Sequence, residues 1–333
     1  MLRLRRKRSA PDAQALFAQI DELARANRAS RDVETERRIL KLRHLAGAAL
    51  VASANGSVAT AEPGGELPTA NGAGLPEFSA AELTPALLRA ALLRDGCVLV
   101  RGLVEPGEAT RMVGELDRVF DARQEHGPSG SDPDGYYDPF IPEPPYGLAE
   151  RDFVTDAGGA FASDSPRLMF DVFEAFERAG LRELITGYLG ERPTVSVNKC
   201  VLRRVSPDSG SAWHQDGAFL GQVRALNVWL SLSRCGDESP GLDIVPRRLD
   251  GIVPTGTEGA LFNWSVSPQA AEHAAGDIGV LRPIFEPGDG LLFDDLFLHA
   301  TAADPEMPND RYAVESWFFG PSAFPADYVP LAF

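Results

Sequence analysis

Behind Asp12, the apolar residues Leu16, Ile20 and Leu23 recur at helical spacing. Val33 and Leu40 do the same on a second segment, whose other face carries Glu34, Arg37, Arg38 and Lys41. Apolar positions three to four apart form one stripe of an α-helix, so the pattern predicts two N-terminal helices, from Asp12 and from about Arg31. Ahead of them lies a basic tail, and after them residues 54–76 are rich in Gly, Ala and Pro and read as a flexible linker. Ordered structure is expected to resume at Thr84-Pro85, where a threonine caps the free N–H groups of a helix and proline fits its first position. Asp95-Gly96 ends that helix, a strand follows over 97–101, and the next helix covers 107–120. Ser165-Pro166 opens another, with Met169, Phe170, Phe173 and Phe176 as its core stripe.

From Thr194 the pattern shortens to β-like runs: 194–205, 227–232, 242–245, 281–285, 290–293, 297–301 and 312–319. Many short strands between Pro/Gly turns argue for a sandwich or barrel. Residues 127–165 hold Pro128, Pro133, Tyr136, Tyr137, Pro142, Pro144, Pro145 and Tyr146, and cannot form a regular element. A loop this long is expected to be either an ordered lid bordering a substrate pocket or a passive surface crossing.

The β-rich half carries the candidate chemistry. On a strand, residues two apart share a face, so His214 and Asp216 within Trp213-His214-Gln215-Asp216 offer an imidazole and a carboxylate to one point, and Gln215 points away. His299 ends the apolar run that begins at Gly290. Two histidines and one carboxylate on one face leave about three coordination positions open, a set suited to Fe(II) and oxygen chemistry. Arg311, beyond the distal histidine, supplies a planar fork for a carboxylate-bearing co-substrate. Each of these side chains also has a plainer reading: a satisfied structural histidine, or a surface ion pair for the arginine. His44, His126 and His273 read as solvated or locally packed.

These motifs resemble the phytanoyl-CoA dioxygenase family of Fe(II)/2-oxoglutarate oxygenases over about residues 84–319. The resemblance runs in order through Asp95-Gly96 and Gly102-Leu103, then His214-Gln215-Asp216, Val228-Trp229-Leu230-Ser231-Leu232 and Gly241-Leu242-Asp243-Ile244-Val245-Pro246. It continues through Pro287-Gly288-Asp289-Gly290 with His299 to Asn309-Asp310-Arg311-Tyr312. It implies a mainly β fold with flanking helices, a double-stranded β-helix of the jelly-roll, cupin-like type. It also implies that His214, Asp216 and His299 bind Fe(II), and that Arg311, with Trp229 and Ser231, lines the 2-oxoglutarate pocket; Trp229 reads equally as core. A small-molecule substrate would be hydroxylated at an unactivated C–H bond, with O2 consumed and succinate and CO2 released. An intact carboxylate at Asp216 favours hydroxylation over halogenation, since halogenating relatives carry a small residue there. One segment departs: Pro246-Arg247-Arg248-Leu249-Asp250-Gly251 stands where the family commonly has Gly-Ser-His, which leaves the substrate class open.

Composition narrows the partners. At 333 residues with 44% hydrophobic content the chain can bury a sizeable core. Its net charge of −16 argues against nucleic acid. Residues 1–45 hold 12 Lys/Arg and 6 Asp/Glu, so the surplus of acid lies beyond them. No run approaches the roughly 18 apolar residues of a membrane span. Cys97, Cys200 and Cys235 fit no zinc spacing and imply a reducing compartment. A faint export pattern, Arg37-Arg38 before an apolar run, starts too far from Met1 to serve as a signal, so a cytoplasmic location is expected. The expected organisation is 1–53 tail and helices, 54–76 linker, and 77–333 dioxygenase-type domain. The N-terminal helices are expected to dock on the core, with packing on each other or on a second copy as the alternatives. A jelly roll that binds a metal or metabolite without turnover is the alternative to an enzyme.

Overall fold

The computed structural model describes residues 12–54, 60, 62–67, 74–148, 150–210, 212–221 and 223–333. The basic tail and much of the expected linker (55–59, 61 and 68–73) lie outside these. Nine α-helices are described: α1 Ala13–Ala29, α2 Val33–Ser53, α3 Pro85–Asp95, α4 Pro106–His126, α5 Asp152–Asp156, α6 Pro166–Arg178, α7 Leu181–Leu189, α8 Gly217–Leu220 and α9 Pro268–Ala275. The strands are β1 Glu77–Ser79, β2 Cys97–Arg101, β3 Gly159–Phe161, β4 Thr194–Val205, β5 Ala225–Ser231, β6 Gly241–Ile244, β7 Gly290–Phe293, β8 His299–Ala302, β9 Arg311–Phe319 and β10 Pro330–Ala332. The helix starts follow from capping chemistry. The side chains of Asp12, Asp32, Thr84 and Ser165 each accept a first-turn N–H, and Pro85 and Pro166 follow the latter two.

Eight strands form one mixed sheet in the order β1-β2-β7-β5-β9-β4-β10, with β3 also on β4; β6 and β8 form a second, two-stranded sheet, and the sheet does not close. Among the described residues only β1–β2 is parallel within it. This two-sheet arrangement with helices on one side matches the expected double-stranded β-helix. Alternation along the strands sorts the core in two. Val98, Leu226, Val228, Leu230, Val314 and Phe318 pack against helices α3, α4, α6 and α7. Cys97, Leu99, Trp229, Leu291, Phe293, Ala313 and Trp317 face the interior between the sheets, where Ile244 and Phe297 meet them.

The Pro287-Gly288-Asp289 turn is built for close approach. Gly288 has φ +91°, and a Cβ there would lie 2.1 Å from the Val104 carbonyl oxygen, so only glycine fits. The Asp289 carboxylate accepts from Arg101 (2.6 Å), the Gly102 N–H (2.9 Å) and the Glu286 N–H (2.9 Å), stapling β2 to the start of β7.

Helices α1 and α2 dock on the chain itself. Leu16, Ile20, Ala24, Ile39, Leu42 and Ala46 pack with Phe170 of α6 and Ala332 of β10. At Gly47 a Cβ would sit 2.9 Å from the backbone of Pro330 and Ala332, so the helix rests directly on the last strand. The stretch 281–285, expected as a strand, forms only isolated bridges, Ile244↔Leu281 and Cys235↔Phe285. Pro283 lies between them and has no N–H to extend the ladder.

Candidate metal centre and its surroundings

His214 and His299 face each other across an isolated antiparallel bridge, with backbone bonds His214 N–H to His299 O (2.9 Å) and His299 N–H to His214 O (3.1 Å). Their ring centroids are 4.4 Å apart. Asp216 reaches the same point by a route the sequence pattern did not anticipate. The strand-face expectation fails here: Asp216 is in the right-handed helical region (φ −61°, ψ −26°) and immediately precedes α8, without a side-chain capping bond. The chain turns because the Gly217 N–H bonds to the Asp295 carbonyl (2.8 Å) and the Phe219 N–H to that of Asp216 (2.9 Å). One ligand atom from each of His214, Asp216 and His299 lies within 4.8 Å of the others.

Both imidazoles are oriented. His214 Nδ1 bonds to the Ala212 carbonyl (2.9 Å) and His299 Nδ1 to the Phe297 carbonyl (3.1 Å). A neutral ring that donates from Nδ1 keeps its Nε2 lone pair free, and the His299 Nε2 is 3.9 Å from Asp216 Oδ2. Burial, reinforced by His214, lowers the His299 pKa to about 4, which holds the ring in its ligating, neutral form. Burial alone would raise the Asp216 carboxyl; Lys199, His214 and His299 together hold it below the ordinary range. The Lys199 ammonium stands 3.4 Å from Asp216 Oδ1.

Gln215, between the ligands, is turned into the protein. Its Nε2 donates to the Leu296 (2.7 Å) and Gly251 (3.1 Å) carbonyls, and its Oε1 accepts from Val253 N–H (2.7 Å). It therefore ties the ligand loop to the loops on either side.

Arg311 is buried at the start of β9, with its Nη1 donating to the Gly241 carbonyl (2.8 Å). Its Nε is buried with no hydrogen-bond partner, and burial lowers its pKa to about 10. Among the described residues no carboxylate lies within ion-pair distance of it. Its Cζ is 5.6 Å from the Trp229 ring centroid. Gly241 pairs with Ala302, three positions beyond His299 on β8, which sets the arginine about 10 Å along the strand from the distal histidine. Trp229 is buried against Phe285, centroids 4.8 Å apart. Ser231 shares its face of β5, but its hydroxyl donates to the Ser233 carbonyl (2.7 Å).

Segment 127–165 is ordered against the helical side rather than at this mouth. Asp138 bonds to Arg37 (2.7 Å), Tyr136 to Arg118 (2.6 Å), and the Glu143 N–H to His44 Nε2 (3.0 Å). Among the described residues none of its hydrogen bonds or ring contacts reaches the triad, Arg311 or Trp264. It helps to enclose a separate cavity of about 350 Å³ beside α4, lined by Arg123, Tyr137, Arg151 and Asp164, that includes none of the expected site residues. Three neighbours of the triad carried no signal in the sequence pattern: Lys199, Phe219 and Trp264. The last sits edge-on to the His214 ring at 6.0 Å.

No family model matches this chain, and no curated protein matches it. The likeness to phytanoyl-CoA dioxygenases therefore stands on the motifs alone. Among solved structures, similarity extends to AviO1 from Streptomyces viridochromogenes Tue57, at 16% identity over 73% of this chain and 98% of that one, with a TM-score of 0.47. EctD from S. alaskensis, solved with 2-oxoglutarate and 5-hydroxyectoine, is 14% identical over 82% and 89%, with a TM-score of 0.49. The epimerase SnoN, in complex with Fe3+, alpha ketoglutarate and nogalamycin RO, is 17% identical over 71% and 83%, with a TM-score of 0.45. Likenesses this distant do not speak for the chemistry of this chain.

Proposed function

We propose that this protein is an Fe(II)- and 2-oxoglutarate-dependent dioxygenase of the phytanoyl-CoA dioxygenase type, acting in the cytoplasm on a small-molecule metabolite. The observation that carries the reading is the convergence of His214, Asp216 and His299 on one point. Two imidazole nitrogens and one carboxylate are a donor set that fits a divalent iron and would leave positions for a chelating co-substrate and O2. The iron supplies the oxidising chemistry. Oxygen is divided between succinate, formed with CO2 from 2-oxoglutarate, and the hydroxyl placed on the substrate carbon.

The chain's own residues hold and orient. The Phe297 and Ala212 carbonyls fix the two imidazoles through Nδ1, which would leave each Nε2 free to hold the ion. Lys199 holds one oxygen of Asp216. Arg311 fits the distal carboxylate of 2-oxoglutarate, because it is a buried guanidinium with an unused N–H and, among the described residues, no anion of its own. Trp229 packs beside that guanidinium and shields it from water. An intact Asp216 leaves no vacant ligand position for halide, which favours hydroxylation.

The test is succinate formation from 2-oxoglutarate with Fe(II) in air, paired with the anaerobic charge-transfer band of the Fe(II)–2-oxoglutarate complex. Asp216→Ala should lower both by more than about a hundredfold. Succinate formation that survives this substitution would mean the triad is misassigned, and a wild-type chain that binds metal without forming succinate would be a non-catalytic jelly roll.

A further inference from the structure

The mouth of the triad is bordered by aromatic side chains left in water. Phe219 (45% exposed), Ile252 (41%), Phe262 (47%) and Trp264 (42%) are all large apolar residues at the surface. Such residues scattered singly are ordinary; a contiguous group beside a site marks a binding surface. The three rings are contiguous. Phe262 and Trp264 lie stacked, 5.0 Å apart and 10° from parallel, and Phe219 meets Trp264 at 5.6 Å. Trp264 is 6.0 Å from the His214 ring. Ile252 closes over the turn after Asp216, its Cδ1 2.9 Å from where a Cβ on Gly217 would be.

The exposure is built in. Gln215 anchors the loop at Gly251 and Val253, and Ser265 Oγ both accepts from the Phe262 N–H (2.9 Å) and donates to its carbonyl (3.0 Å). The Gly256 N–H bonds to the Ser265 carbonyl (2.9 Å). A loop fixed this way holds its rings outward as a preformed platform. Anything seated on that platform lies over the triad, so a macromolecule covering it would seal the site. A parallel ring pair offers a flat face that takes planar bodies by stacking. The Lys199 ammonium, which lies over the Phe219 ring at 5.5 Å, is already held by Asp216 and is not free for an anion.

We propose that Phe219, Phe262 and Trp264, with Ile252 at the edge, form the substrate-recognition platform, and that the substrate is a small molecule presenting a flat, uncharged aromatic ring system. This deepens the dioxygenase reading and rests on it for the identity of the reacting centre. The platform itself is testable without iron. Calorimetric titration of the full chain in EDTA compares 2-naphthol with 1-octanol, apolar alcohols of similar size but different shape. Naphthol should bind at least about fivefold more tightly than octanol, and Trp264→Ala and Phe219→Ala should each weaken it about fivefold to tenfold. Phe153→Ala, an exposed ring elsewhere (53%), should change nothing. No naphthol binding, octanol binding as tight as naphthol, or a Trp264→Ala variant that binds like wild type overturns the proposal. So does a dimer on size exclusion that Trp264→Ala dissociates, which would make the platform a subunit contact. Because the titration holds no metal, it fails or succeeds independently of succinate formation.

Discussion

The ion-pair network on the helical face holds partly exposed arginines against largely buried carboxylates, whereas Arg311, between the sheets, is itself buried and meets no carboxylate among the described residues. On the helical face charge meets charge. Arg31 sits between Glu36 (2.6 Å) and Asp171 (2.5 Å), Arg28 and Arg178 reach Glu174, and Arg111 contacts Glu115 and lies 3.6 Å from Asp171. These pairs tie α1, α2, α4 and α6 together. In the interior Arg311 is more completely buried, yet its hydrogen bond among the described residues goes to a carbonyl and its Nε has none. A lone buried cation is costly, and removing the charge in favour of an apolar residue of similar volume is often stabilising. Among the described residues Arg311 is the buried guanidinium that lies on the triad's side of the sheet, and it suits an incoming anion.

The largest effect that can break this contrast is therefore at Arg311. Arg311→Met should leave the stability of the metal-free chain unchanged or slightly raised, within about 1 kcal/mol, because relief of the uncompensated charge offsets the lost bond to the Gly241 carbonyl. The same variant should lose 2-oxoglutarate affinity by about 30- to 1000-fold, the cost of removing one partner of a buried charge pair. The thermal stabilisation that 2-oxoglutarate with Fe(II) gives the wild type should vanish with it. Arg311→Lys should recover little, since an ammonium cannot donate the parallel pair of bonds. If Arg311→Met lowers stability and leaves the 2-oxoglutarate response intact, the guanidinium is a structural element like those on the helical face.

The same two regions differ in how far the sequence disclosed them. Helix starts were legible because their signals are local: the caps at Asp12, Thr84 and Ser165 need only the next turn. Strands β4 and β7 were legible to their ends, because alternation and bounding turns act within the strand. The three-residue strands β1, β3 and β10 carry no such pattern and exist only where partners place them. At the site, the three convergent residues were legible but the reason for their convergence was not. A shared strand face was the expectation, whereas the cross-strand bridge and the turn into α8 bring the groups together. The aromatic platform was invisible, because Ile252, Phe262 and Trp264 follow no period. The tyrosine- and proline-rich segment 127–165 read equally as a lid or a surface crossing, because composition does not say which side of a sheet a loop will cross.

A smaller effect tests whether the helical face is as well balanced as its ion pairs suggest. Glu115 is the weak member: burial first, and then the nearby Asp171 carboxylate, raise its pKa to about 7, and its Oε2 is buried without a hydrogen-bond partner. A folded-state pKa above the unfolded value of about 4.3 means the fold prefers the protonated acid. Ionisation therefore weakens the fold as pH rises from about 4.3 to about 7, and the loss is complete above that. Glu115→Gln keeps an acceptor for Arg111 and should be neutral near pH 4. By pH 8 it should be more stable than wild type by on the order of 1–3 kcal/mol. Urea denaturation at the two pH values measures it, and equal gains at both would show that ionisation of Glu115 is not what limits this network.

The smallest expected effect is also the sharpest control, because Arg43 resembles Arg311 in everything except its surroundings. It too is buried, donates to a carbonyl (Nη1 to Ala332 O, 2.9 Å), lies over an aromatic ring (Cζ 4.4 Å from the Phe173 centroid) and leaves its Nε without a partner. Burial, then Arg182, lower its pKa to about 9. It sits where α2 rests on β10, far from the triad in the fold's topology, and the carbonyl it bonds belongs to the strand it docks. Arg43→Met removes one hydrogen bond, worth about 1 kcal/mol, and relieves a buried charge that offsets it. Stability should change by less than about 1 kcal/mol, and the stabilisation by 2-oxoglutarate with Fe(II) should match wild type. If Arg43→Met instead abolished that response as Arg311→Met does, an unpaired buried guanidinium would mark nothing in particular in this chain. Arg311 would then lose its claim to the co-substrate while the triad kept its own.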